Sequence, residues 1–169
     1  MKISLSLKLG IVIGIINCIV WYAIAKQLGF YSDQVYRLRN FITLGVLVVG
    51  IFLSVFFTRK GNNGHIEFKN ALKAGMVFSL MVAITLAIFN YIYYTFITPD
   101  TIDYFLSEAK KSAIAHNIKP EEIQKFLDAE KDNLGSFRLV PPLLFYGLII
   151  SLLAGAVMQK KDPALPNEE

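Results

Sequence analysis

The chain has 169 residues (19.0 kDa), of which 54% are hydrophobic and 18% charged, with a net charge of +4 and a mean hydropathy of +0.49. Soluble domains carry about 25% charged residues, whereas four runs of this chain contain no Asp, Glu, Lys, Arg or His: Leu9–Ala25, Phe41–Thr58, Ala74–Ile97 and Leu139–Met158, together 79 residues. That distribution excludes a soluble enzyme, a disordered chain and a disulfide scaffold. A helix rises about 1.5 Å per residue, so the runs measure about 26, 27, 36 and 30 Å against a hydrocarbon core of about 30 Å. The first two are slightly short and draw Leu7 or Asn40 into the interface. Within lipid the backbone must satisfy its own hydrogen bonds, which makes each run a helix. Strands of a membrane barrel would be shorter and would alternate in polarity. The expected fold is all-α, an integral membrane four-helix bundle forming one domain over 1–169. Its spans are at about 9–25, 41–58, 74–97 and 139–158, with a helical loop over 98–138 and a polar tail over 159–169.

Span 1 carries Gly10, Gly14 and Cys18 four residues apart, with Trp21 and Tyr22 near its end. Residues at i and i+4 share a helix face. Lys2, Lys8, the apolar stretch and Ala23-Ile24-Ala25 also fit a secretory signal with a small-residue cleavage site. Against that rival stand the two aromatics just before the supposed cut and the packing stripe. Cys18, the single cysteine, has no intramolecular partner and reads as a small packing residue. Span 2 follows Arg39 and Asn40, carries Gly50, Ser54 and Thr58, and closes at Arg59 and Lys60. Gly61-Asn62-Asn63-Gly64 is a turn by composition. His65 through Leu72 is expected to begin a helix continuous with span 3, placing Phe68 and Leu72 on one face at the interface.

Span 3 has the longest stripe of small residues, Ala71, Gly75, Ser79, Ala83 and Ala87, and ends among Tyr91, Tyr93 and Tyr94. Aromatics with a polar edge favour the membrane interface. Thr98-Pro99-Asp100 is a helix start, followed by Ile102, Phe105, Leu106, Ala109 and Ala113 at helical spacing, with Asn117 as the stop. Lys119-Pro120-Glu121-Glu122 starts a second helix, with acids where the dipole favours them. Ile123, Phe126 and Leu127 form its apolar side, and Gly135 suits its end. The loop is thus expected to be a helical hairpin. Its Asp128, Glu130 and Asp132 lack the glycine and terminal glutamate of a calcium-binding EF-hand loop. Pro141-Pro142 opens span 4, where proline fits a first turn better than a hinge. Gly147, Ser151 and Gly155 continue the small-residue theme. Lipid gives little hydrophobic gain on helix association, so these stripes are expected to face inward and let backbones approach.

Four spans put both termini on one side. The terminal side carries eight cations in 34 residues, and the other nine in 56. The turn Arg59–Lys73 holds four cations in 15 residues. By the positive-inside rule the termini are cytoplasmic and the 98–138 hairpin is extracytoplasmic.

Chemistry is sparse. There is no HExxH, CxxC, P-loop or GxGxxG pattern, and His65 and His116 fall on opposite sides of the membrane in this topology. No catalytic, cofactor-binding or metal-ligating residue is assigned, and the net charge suits anionic headgroups rather than nucleic acid. Asn17 and Asn90, the amides within the spans, read first as interhelical hydrogen-bonding groups and second as a substrate or ion site. None of the four runs contains the acidic or basic residue that ion-coupled transport usually requires.

Lys8-Leu9-Gly10-Ile11-Val12-Ile13-Gly14, the stretch Ile66-Glu67-Phe68-Lys69-Asn70-Ala71-Leu72-Lys73-Ala74-Gly75, and Tyr93-Tyr94 through Ile97-Thr98-Pro99-Asp100 resemble the bacterial membrane proteins grouped as domain of unknown function family 4199. The resemblance covers nearly the whole chain and implies a bacterial inner-membrane protein. It carries no activity, ligand or catalytic residue. The expected role is a non-enzymatic structural or interaction module, in contact with membrane lipid and assembling with itself or another membrane protein. The alternative is a small transporter or channel-like subunit acting as an oligomer. A membrane enzyme built on loop carboxylates ranks last.

Overall fold

Apolar side chains on every face and a backbone that must pair internally leave these segments one regular solution. The computed structural model describes residues 3–30, 33–133 and 136–160. It contains six helices: α1 (Ile3–Leu28), α2 (Asp33–Gly61), α3 (Phe68–Ile92), α4 (Asp100–Ala115), α5 (Pro120–Asn133) and α6 (Val140–Met158). No strand occurs among the described residues. One isolated antiparallel bridge joins Ile66 to Lys160. Four helical stretches are long and apolar enough to cross a membrane: Leu5–Leu28, Gln34–Gly61, Phe68–Ile97 and Phe137–Met158. At 24, 28, 30 and 22 residues they extend about 36, 42, 45 and 33 Å. The shortfall expected for the first two spans therefore disappears, because the helices continue past the uncharged runs.

The centre of the bundle is α3, which packs on α1, α2 and α6, while α2 also packs on α1 and α6. The small-residue stripes do face inward. A Cβ added to Gly75 would overlap Ser151 and come 3.0 Å from Ile51 Cγ2, and one added to Gly147 would overlap Ser79. Glycine of each helix thus receives serine of the other along the α3–α6 contact. On the α1 side, Gly10 lies against Met81 and the Phe78 backbone, and Gly14 against Thr85. Gly50 of α2 leaves room for the Phe78 ring, which is fully buried. Three buried hydroxyls find backbone carbonyls: Ser79 donates to the Gly75 carbonyl at 2.9 Å, Thr58 to the Ser54 carbonyl at 2.8 Å, and Ser54 across to the Ala74 carbonyl at 3.2 Å. Cys18 is one of the buried packing residues.

The turn after α2 departs from expectation. The N–H groups of Asn62 and Gly64 both donate to the Arg59 carbonyl, and the Arg59 Nε donates to the Gly64 carbonyl at 2.9 Å. Asn63 (φ 53°) and Gly64 (φ 82°) take the left-handed conformation that ends a helix. The next helix starts only at Phe68, rather than at His65, because Ile66 uses both its backbone groups on Lys160, at 2.9 and 2.8 Å. Phe68 then lies across Gly155 of α6.

At the other end, α3 passes into one π-helical turn over Tyr93–Ile97. Helix α4 then begins directly after Pro99. Asn117 (φ 56°) breaks the chain between α4 and α5, and Pro120 opens α5. The two pack on each other, whereas α5 makes no comparable contact with any membrane helix. Tyr36 of α2 meets Phe105 of α4 edge to face at 5.0 Å. Gly135, the tail beyond 160, and the side chains of Glu130 and Asp132 lie outside the described residues. Pro141 and Pro142 occupy the first turn of α6, as a helix start requires.

Candidate functional site

Register decides which polar residues enter the bundle. In α2, Tyr36, Arg39, Thr43 and Leu47 are spaced three or four apart and form one face, which continues into Gly50, Ser54 and Thr58. Arg39 is therefore turned into the bundle, while Arg37 on the other face is exposed. In α1 the inward face runs through Gly14, Asn17, Trp21 and Ala25. In α3 it runs through Ala83, Leu86, Ala87 and Asn90.

These faces meet in a cleft of about 400 Å³, within the range of small-molecule sites. Its walls hold Asn17 and Trp21 of α1, Arg39, Asn40, Thr43 and Leu47 of α2, Leu86 and Asn90 of α3, and Leu139, Leu143 and Tyr146 around the start of α6. The rim is apolar and faces outward: Phe41 is 73% exposed and Tyr146 50%. Asn17 Nδ2 donates to Thr43 Oγ1 at 3.1 Å, the interhelical hydrogen bond expected of a spanning amide. Asn90, only 3% exposed, lines the same cleft. The structure thus brings together the two amides singled out in the sequence and adds an arginine to them.

Arg39 stacks rather than pairs. Its guanidinium lies 5.4 Å from the Trp21 ring centroid and 5.3 Å from that of Tyr36. Its Nη1 is buried with no hydrogen-bond partner, as is the Trp21 Nε1. The one salt bridge among the described residues is far away, between Lys111 and Glu108 at 2.6 Å. Among the described residues no carboxylate lines the cleft. A cation–π contact contributes about 0.5–2 kcal/mol, whereas burying an unpaired charge costs several kcal/mol. Arg39 is half-buried, so the stack offsets part of the cost of desolvating the inner edge of its guanidinium.

Trp21, Tyr93 and Tyr94 lie toward the ends of their spans, where aromatics with a polar edge favour the interface. All three are turned into the bundle, whereas Tyr91 is exposed. Trp21 meets Phe89 edge to face at 5.3 Å and Tyr93 at 4.5 Å, which makes a rigid backing for the cleft. Arg39 itself reads in the sequence as a flank of span 2, because its charge bounds the uncharged run. The signal that finds it is its register, four residues before Thr43 and eight before Leu47.

Among the described residues, no group of three His, Cys, Asp or Glu side chains is placed to hold a metal. His65 lies in the turn before α3, and His116 ends α4, its Nδ1 2.8 Å from the Ser112 carbonyl. Neither histidine is part of the cleft.

Comparison with curated proteins and with solved structures finds no match. Residues 8–160, nearly the whole chain, match the family described as Protein of unknown function (DUF4199), and with its four membrane-spanning helices the chain belongs to that family.

Proposed function

We propose that this chain is a non-enzymatic interaction module of the bacterial plasma membrane, with both termini cytoplasmic, whose bundle holds a membrane-resident amphiphile in the cleft. The carrying observation is the polarity of that cleft. Buried Asn, Thr and Trp side chains and the half-buried Arg39 sit behind a rim of exposed apolar side chains, the pattern of a site with few polar groups in an apolar surround. The α4–α5 pair, joined to the bundle mainly through α4, suits contact with a second membrane protein or another copy of the chain. Native mass spectrometry of the protein extracted in mild detergent tests the reading. The wild type is expected to retain an amphiphile, and Leu143→Trp, which fills the cleft from its edge, is expected to lose it. A wild type free of any adduct would sink the proposal.

The orientation has its own test. In a Cys18→Ala background, Ser112→Cys is expected to label from outside intact cells and Asn63→Cys is not. The reverse pattern inverts the topology. A small transporter acting as an oligomer is the second reading, favoured by the polar groups of Asn17, Thr43 and Asn90 inside the bundle. Labelling of Asn17→Cys by a water-soluble reagent in the same background supports it.

A further inference from the structure

The polar groups of the cleft are not evenly spread. Arg39 belongs to the second turn of α2, and Leu139 precedes α6, so this end of the cleft lies at the helix ends. Leu47 is two turns deeper along α2, about 12 Å at helical rise. Leu86 is one turn deeper than Asn90 along α3. The cleft is therefore basic at its end near the membrane boundary, holds the Asn17–Thr43 pair about one turn deeper, and is aliphatic at Leu47 and Leu86. Among the described residues its charge is one-sided: one guanidinium, no carboxylate, and a buried Nη1 without a partner.

We infer that the cleft takes the anionic phosphate head of a membrane lipid, anchored by Arg39, with an acyl chain running along Leu47 and Leu86. This rests on the amphiphile reading above. A planar guanidinium suits a phosphate, which accepts two parallel N–H bonds. The Trp21 and Tyr36 rings hold that plane in place, so less rotamer freedom is lost on binding. A free phosphate shares the head's chemistry. The lipid is the favoured source because the rim residues Phe41 and Tyr146 face outward from the bundle, where a ligand arrives within the bilayer plane.

Trp21 is the only tryptophan in the chain and is 3% exposed, so heavy-atom quenching of its fluorescence reports what enters the cleft. The full chain is purified in an uncharged maltoside detergent and titrated with dibrominated phosphatidylglycerol or with dibrominated diacylglycerol, which lacks the phosphate. Phosphatidylglycerol is expected to reach half-quenching at about a tenfold lower mole fraction, the size of one charge-assisted hydrogen bond. Arg39→Gln is expected to close that gap, and Arg39→Lys, which keeps the charge but not the planar fork, to narrow it. The wild-type comparison stands alone if a variant fails to fold. Equal quenching by both lipids overturns the anionic head while leaving the amphiphile reading intact. Quenching by neither removes both. Full competition by free glycerol phosphate at equal concentration overturns the choice of a lipid and assigns the site to a soluble anion.

Discussion

The two ends of the bundle are built on different rules. Toward the termini, α3 and α6 meet through Gly75 against Ser151 and Ser79 against Gly147, and Phe78 fills the space left by Gly50. Every hydroxyl named there except Ser151 donates within its own helix or to a neighbouring backbone. Toward the α4–α5 side the contacts are aromatic, centred on Trp21, Phe89, Tyr93 and Tyr94. There a cleft is left open, and a guanidinium has rings beside it in place of an anion. One half gains its stability from backbone proximity, the form of association lipid permits. The other carries unmet polar groups in a setting where they are costly, as sites that bind something do.

Substitutions separate the two halves. The largest effect is expected from Gly75→Leu, which drives a side chain into Ser151 and Ile51 and should lower stability by about 3 kcal/mol. Unfolding of the purified protein in detergent measures it, and an unchanged midpoint would break the account of the terminal half. Arg39→Met is expected to act oppositely. Replacing a half-buried cation whose Nη1 has no partner by an apolar side chain should leave stability level or raise it by up to about 1 kcal/mol. A clear fall in the same assay would make Arg39 a structural residue and erase the contrast. Asn17→Leu removes one interhelical hydrogen bond and should cost about 0.6 kcal/mol, the average for such bonds in membrane proteins. Gly45, which has open space where a Cβ would go, is expected to tolerate alanine with no measurable change. Sensitivity at Gly45 would show that the α2 surface is covered by a partner.

The terminal half was largely legible in the sequence. Small residues four apart on a helix define a face whatever the neighbours are, so Gly10 and Gly14, Gly50 and Ser54, the Ala71–Ala87 stripe and Gly147–Gly155 could be placed inward from spacing alone. The cleft half was not. Arg39 is hidden because its charge bounds the uncharged run of span 2, although helical register does not stop at the first charged residue. Residue type places Trp21, Tyr93 and Tyr94 toward the interface, whereas their burial within the bundle depends on which helix lies opposite. The late start of α3 depends on Lys160, nearly a hundred residues away in the chain, and no local pattern announces such a pairing.

Composition and run length by themselves determined that this chain crosses a membrane four times as helix. The reason is that lipid offers the backbone no partners, and about twenty apolar residues are what a bilayer requires. Only the tertiary structure decided that Asn17, Arg39, Thr43 and Asn90 share one cleft. They come from three different helices, and their meeting is set by the order and rotation of packed helices, which the terminal half holds in place through its glycines.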